Sequence, residues 1–201
     1  MKLYFHFAVV GFANTYLIGP PEGGDAILVD PGIMDTKLLT LIEGNRYYVR
    51  SILVTHNHES HVNGIRTLRK IYDADIYSFT PFILDYPTVT IKGGDTFSCA
   101  SNISVEVIEV PGHSPDSLVY HIGGMIFTGD VLAAGRVGTT KNSYSRAMLL
   151  RSIREQLFSL PDSTLLLPGH GPPSTLKAER MFNPDLKLLK SEKVNTDYHA
   201  E

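Results

Sequence analysis

The apolar positions of this chain fall into short blocks separated by turn-forming residues. Blocks at 3–10, 14–19 and 26–30 predict three strands, the last two joined across the proline- and glycine-rich stretch 19–25. After Asp30-Pro31-Gly32 the spacing changes, and Leu38, Leu39, Leu41 and Ile42 share one face of a helix predicted over 36–45. A strand at 51–54 follows. A second helix then runs to about residue 72, capped by Ser60 and carrying Ile65, Leu68 and Ile71 at helical spacing. Further short strands are predicted near 75–79, 89–91, 103–110, 117–122 and 124–128, the last pair turning at Gly123-Gly124. A helix over 145–160 buries Met148, Leu149, Ile153 and Leu157, and a strand at 164–167 leads into Pro168-Gly169-His170-Gly171. No linker interrupts this alternation. It predicts one α/β domain over 1–183, with a polar, lysine-rich tail over 184–201 as a short surface helix or frayed end.

Composition narrows the class. A hydrophobic content of 43% and a charged content of 19% over 201 residues suit a single soluble domain with its own core. The net charge of −3 gives no electrostatic footprint for nucleic acid, so the expected partner is a small molecule. No apolar run approaches the roughly 18 residues of a membrane helix. His6 breaks the first apolar block, so that block reads as a strand and not an export signal; the expected location is the cytoplasm. Cys99 is the one cysteine, which excludes an internal disulfide and a cysteine-based zinc site. Oligomeric state is not fixed by any of these features.

The chemistry is concentrated where strands stop. Thr55-His56-Asn57-His58-Glu59-Ser60-His61 holds three of the eight histidines directly after an apolar strand. Three more predicted strands end in Pro111-Gly112-His113, Thr128-Gly129-Asp130 and Pro168-Gly169-His170. In each loop a glycine frees the backbone for a sharp turn and one ligand-type side chain is exposed. Neutral imidazole is a strong ligand for zinc, iron and similar divalent ions. A lone Pro-Gly-His or Gly-Asp is an ordinary turn, but four strand ends delivering His or Asp together point to a metal site. His6, His121 and His199 read instead as strand surface, strand surface and tail.

In order and spacing, His-x-His-x-x-His, Pro-Gly-His, Thr-Gly-Asp and Pro-Gly-His resemble the metallo-β-lactamase superfamily. More closely, the chain resembles the short bacterial glyoxalase II-like (hydroxyacylglutathione hydrolase-like) hydrolases. The resemblance spans nearly the whole chain, from Asn14-Thr15-Tyr16-Leu17-Ile18 and Val29-Asp30-Pro31-Gly32 to Pro168-Gly169-His170-Gly171-Pro172. It implies a four-layer αββα sandwich with a metal pair in a cleft at one edge. It also implies that His56, His58 and His113 hold a first ion, that His61 and His170 hold a second, and that Asp130 bridges both. Asp30 resembles the family's acid that orients a ligand imidazole, or else simply starts the turn before Pro31-Gly32.

The chain departs from the family pattern at Ser60, where the family places an aspartate that ligates the second metal. Serine is neutral and shorter, so the second ion is expected to bind weakly or be absent, while the first site is intact. The resemblance implies zinc, as one or two ions, with iron or manganese as alternatives. It implies hydrolysis of a small ester-like bond, a thioester above all, by metal-bound hydroxide and without a protein nucleophile. Arg136, Lys141 and Tyr144 fall in what resembles the family's substrate loop. Two alternatives stay open: a mononuclear iron persulfide dioxygenase using His56, His113 and Asp130, and a catalytically degenerate metal-binding protein of the same fold.

Overall fold

Each central strand carries two apolar faces, and this requires cover on both sides. Leu17, Leu28 and Ile52 point to one side of the first sheet and pack against helices, while Ile18, Ile27, Val29 and Leu53 point to the other and meet a second sheet. The structure, a computed structural model, describes residues 1–191. Its first sheet has six strands in chain order: Lys2–Phe7, Asn14–Gly19, Gly24–Val29, Tyr47–Leu53, Asp75–Ser78 and Val89–Thr90. The second also has six, in the spatial order Ser174–Thr175, Leu165–Pro168, Met125–Gly129, Leu118–Ile122, Ile103–Glu109 and Thr96–Cys99.

Three apolar layers hold the sandwich together. Between the sheets, Tyr16, Ile18 and Leu53 interdigitate with Val105, Val107, Tyr120 and Phe127. Outside the first sheet lie helices α1 (Thr36–Gly44), α2 (Glu59–Val62) and α3 (Ile65–Ile71), which bury Leu38, Ile42, Val62, Ile65 and Leu68. Outside the second lie α4 (Ser143–Ser152), α5 (Leu176–Phe182) and α6 (Pro184–Ser191), with Leu149, Leu150, Leu176 and Leu186 buried. This is the expected four-layer αββα arrangement. Among the described residues no helix is long and apolar enough to cross a membrane.

Several elements differ from expectation. The first strand stops at Phe7, because 8–13 forms a turn closed by the Ala8 amide donating to the Ala13 carbonyl. The strand expected at 51–54 starts earlier, at Tyr47. Ser60 is not a helix cap: His58, in extended conformation, precedes α2, and Ser60 lies inside it. The segment continues as two short helices, α2 and α3. Asn142 caps α4 by accepting from the Ser145 amide, and the last turn, Ile153–Leu157, widens into a π-helix. The strand Thr96–Cys99 and the ribbon Leu132–Ala133/Arg136–Val137 had no clear alternation to announce them. Pro184–Ser191 is helical, whereas the rest of the tail, His199 included, lies outside the described residues.

His6 is also unlike its expected surface role. It is buried, and its Nε2 lies 3.0 Å from Asp35 Oδ1, the same carboxylate oxygen that caps α1 through the Leu38 amide. Hence it ties the edge strand to the first helix. His121 stays half-buried on its strand, 2.9 Å from Glu106 Oε2.

Candidate metal centre

Four strands end at one edge of the sandwich, and each releases a ligand-type side chain there. Tyr47–Leu53 of the first sheet leads to His56, His58 and His61. Ile103–Glu109, Met125–Gly129 and Leu165–Pro168 of the second lead to His113, Asp130 and His170. The six residues form two groups: His56, His58, His113 and Asp130 in one, and His61, Asp130 and His170 in the other.

Asp130 divides its two oxygens between them. Oδ2 faces the first group, 3.9 Å from His56 Nε2 and 3.7 Å from His113 Nε2. Oδ1 faces the second, 3.4 Å from His61 Nε2 and 3.7 Å from His170 Nε2. His58 Nδ1 completes the first group, 2.9 Å from His56 Nε2 and 3.2 Å from His113 Nε2. Ligands at zinc distances of about 2.0–2.1 Å in a tetrahedron lie roughly 3.4 Å apart. The observed donor separations straddle that value.

The far side of four of the five rings, all but His58, is held as well. His113 Nδ1 donates to the Thr139 carbonyl and His170 Nδ1 to the Phe12 carbonyl, both at 2.8 Å. His61 Nδ1 lies 3.2 Å from Asp30 Oδ2. Thr55 gives its single hydroxyl proton to Asp30 Oδ2 at 2.7 Å, so at 3.1 Å it accepts from His56 Nδ1. These contacts hold a proton on the outer nitrogen and turn the inner nitrogen into the centre, as a metal ligand requires. Asp30 also accepts the Thr55 amide, and it holds φ 51, a left-handed conformation that is uncommon outside glycine.

Charge is distributed unevenly across the pair of groups. Burial pushes the His56 imidazole down to about 2, and the neighbouring His61 adds to the effect. His58 is lowered in the same way by burial and by His113. Burial also disfavours a charge on His61, but the carboxylates of Asp30 and Asp130 outweigh it and raise this imidazole to about 10. Although burial opposes its ionisation, the His61 and His56 rings hold Asp130 well below the usual carboxylate range. In the absence of a metal, the charge between the buried Asp30 and the half-buried Asp130 is thus carried by the His61 ring.

The residues present fit a metal ion. His61 Nε2 and Asp130 Oδ1 are buried without any hydrogen-bond partner, facing one another across the second group. Uncompensated polar atoms of this kind are costly unless something binds them. The backbone leaves room for that occupant. A Cβ on Gly169 would lie 2.5 Å from His61 Cε1 and 2.9 Å from Asp130 Oδ1, and one on Gly138 would lie 1.8 Å from the Asp130 carbonyl oxygen.

The other residues singled out in the sequence fall into three places. Ser60 is half-buried in α2 beneath the hairpin turn, where a Cβ on Gly11 would lie 3.5 Å from its own Cβ. Arg136 lines a cavity beside the centre together with Asp130, His170, Ala133 and Thr139. Lys141 and Tyr144 are exposed and do not line it. Sequence patterns alone gave no role to Asn14. Its side-chain amide donates to the Pro168 and Gly171 carbonyls at 2.9 and 2.8 Å, bracketing His170. Phe12, Thr55 and Thr139 were likewise invisible as ring-orienting partners, three of them acting through groups that any residue or any hydroxyl can offer. Exposed Val9, Val10 and Phe12 form an apolar rim on the same hairpin turn.

Comparison with known proteins agrees with this architecture. The sequence profile of the metallo-beta-lactamase superfamily matches residues 8–87. An uncharacterized protein of Mycobacterium tuberculosis is 32% identical over 88% of this chain and 93% of its own length. A hydroxyacylglutathione hydrolase of Methylobacillus flagellatus is 29% identical over 81% of this chain, but over only 64% of its own length. Among solved structures, ETHE1 from Myxococcus xanthus superposes with a TM-score of 0.82 at 25% identity, covering 98% of this chain and 93% of that one. TTHA1623, solved in a di-iron-bound form, gives 0.77 at 28% identity, covering 90% and 98%. With its fold, its paired His/Asp groups and these relatives in agreement, the chain belongs to the metallo-β-lactamase superfamily.

Proposed function

We propose that the protein is a metal-dependent hydrolase of a small ester-like bond, a thioester above all, acting in the cytoplasm. The observation that carries this reading is the Asp130 carboxylate turned at once toward two groups of histidine donors. A divalent ion held there supplies Lewis acidity, polarising a carbonyl and making water nucleophilic near neutral pH.

The chain's own residues prepare that chemistry. His56 and His58 are kept neutral, so their inner lone pairs are available at physiological pH. Asp30 fixes His61 directly and His56 through Thr55. Asn14 and the Phe12 carbonyl hold the His170 loop against the cleft. The apolar rim of Val9, Val10 and Phe12 offers a surface for the carbon skeleton of a substrate. Cys99 is no nucleophile for this reaction: burial pushes its thiol up to about 11, and it lies in the strand Thr96–Cys99, away from the residues of the centre.

The test is hydrolysis of S-lactoylglutathione and of simple thioesters by protein loaded with zinc, with and without a chelator. Turnover that is lost on chelation and regained on adding metal supports the reading; turnover indifferent to chelators overturns it. A second reading is a dioxygenase with one iron on His56, His113 and Asp130, a set that lies within one group and does not involve position 60. One iron per chain together with oxygen uptake on a persulfide selects that reading; zinc without oxygen uptake rejects it.

A further inference from the structure

We infer that Arg136 is an anion-recognition arm, held in place by Glu179 and Asp185, which selects substrates carrying a carboxylate near the scissile bond. This rests on the hydrolase reading for the word substrate, but not for the binding itself.

The argument starts from the ribbon that follows Asp130. Leu132–Ala133 pairs with Arg136–Val137, with Leu132 opposite Val137 and Ala133 opposite Arg136. Strand alternation then sorts the two pairs. Leu132 and Val137 are buried against the outer helices. Ala133 and Arg136 turn the other way and line the cavity beside Asp130 and His170, which Val137 also borders from its buried side.

Two carboxylates from the C-terminal helices grip this ribbon on either side of Arg136. The Gly135 amide donates to Glu179 Oε2 at 3.0 Å, and the Val137 amide donates to Asp185 Oδ2 at 3.0 Å. Glu179 is itself buried and fully engaged, accepting from Asn183 Nδ2 at 2.7 Å and from Ser174 Oγ at 2.5 Å. Asp185 uses its other oxygen for Arg146 Nη2 at 2.7 Å. With both flanking amides tied to different helices, residue 136 cannot slide along the ribbon. The same ribbon runs on to Thr139, whose carbonyl orients His113, so the clamp also supports the first metal group.

The nearby acidic side chains are thus spent on the backbone and on Arg146. Among the described residues no carboxylate lies within ion-pairing distance of Arg136, although Arg146 has Asp185. An unpaired guanidinium carried on a clamped backbone beside the candidate metal centre is suited to a planar oxyanion, which it can meet with two parallel hydrogen bonds. Carboxylate is the matching chemistry for an acyl or thiol fragment small enough for this cavity.

The experiment measures binding rather than turnover. Zinc-loaded protein is titrated calorimetrically with 3-mercaptopropionate and with its neutral isostere 3-mercaptopropionamide, both of which present a thiolate to the metal. The wild type is expected to prefer the carboxylate by about tenfold, the scale of one charge-assisted hydrogen-bonded pair. Arg136→Met should erase that preference and leave the affinity for the amide unchanged, with Arg136→Lys restoring part of it. Glu179→Gln and Asp185→Asn should reduce the preference while the far-ultraviolet circular dichroism stays native. Equal binding of the two thiols by wild type, or a preference that survives in Arg136→Met, overturns the inference. Failure of every thioester assay alongside an intact carboxylate preference would instead overturn the hydrolase reading and leave Arg136 assigned.

Discussion

Asp30 Oδ2 stands 3.2 Å from His61 Nδ1, and the same oxygen takes the Thr55 hydroxyl proton at 2.7 Å. One carboxylate thereby sets the tautomer of a histidine in each metal group. Asp30→Asn removes the charge that favours proton placement on His61. Loss of such an outer partner typically costs 10–100-fold in metal affinity. The expected result, read by competition with a fluorescent chelator, is a loss on that scale for the second ion and a smaller one for the first.

The two groups offer unequal numbers of donors, four against three. Protein purified without added metal is expected to hold one ion tightly and a second weakly. Ser60→Asp, one residue before His61, should raise the tightly bound content toward two per chain. Metal analysis after exhaustive dialysis checks both expectations. Two tight ions in the wild type would remove any penalty for serine at this position.

Loading the second group is expected to release a proton. In the absence of metal His61 is raised to about 10 by Asp30 and Asp130, so at pH 7 it carries a proton that an ion must expel. Affinity should therefore rise with pH, by about tenfold per unit while pH remains below that value. The first group behaves differently, because His56 is already neutral with its pKa pushed down to about 2. Calorimetric titration in two buffers of different ionisation enthalpy reads the proton count. A slope of zero for the weaker ion contradicts the assignment.

Gly169→Ala places a methyl 2.5 Å from His61 Cε1 and 2.9 Å from Asp130 Oδ1. Overpacking of this kind costs about 1–3 kcal/mol. The expected variant folds but loses the weaker ion, with metal content falling to one per chain or below. Thermal unfolding and metal analysis, measured together, separate the two effects.

Asn14→Leu leaves the Gly171 carbonyl without its side-chain donor, while the Pro168 carbonyl keeps only the Tyr16 hydroxyl at 2.8 Å. A cost of about 1–3 kcal/mol in stability follows from the one acceptor left unsatisfied. Denaturant unfolding of the metal-free protein measures it. The His170 loop should also become accessible to limited proteolysis, whereas the His56–His61 loop should not.

The sequence made some of this architecture readable because the chemistry is local. His56, His58 and His61 advertise themselves within one loop, and the glycines before His113, Asp130 and His170 mark where strands stop. Continuous apolar runs in 14–19 and 26–30 located strands that have apolar cover on both faces. What was not legible depends on contacts between distant segments. His6 looked like surface until Asp35, 29 positions away, appeared beside it. Asn14 acquires a role only because a segment more than 150 positions away folds against it. The ribbon at 132–137 is too short for periodicity to show, and its clamp comes from helices much later in the chain.

The donors come in equal shares from the two sheets, three residues from each. Any ion shared by such a set is also a cross-link between the two halves of the chain, set at the open rim where their strand ends meet. Chelation should then be felt mechanically as well as chemically: the rim loosens first, and amide exchange quickens at Leu118, whose amide bonds across the sheets to the Thr55 carbonyl at 2.8 Å. Metal supply would thus set the rigidity of the sandwich edge as well as its reactivity.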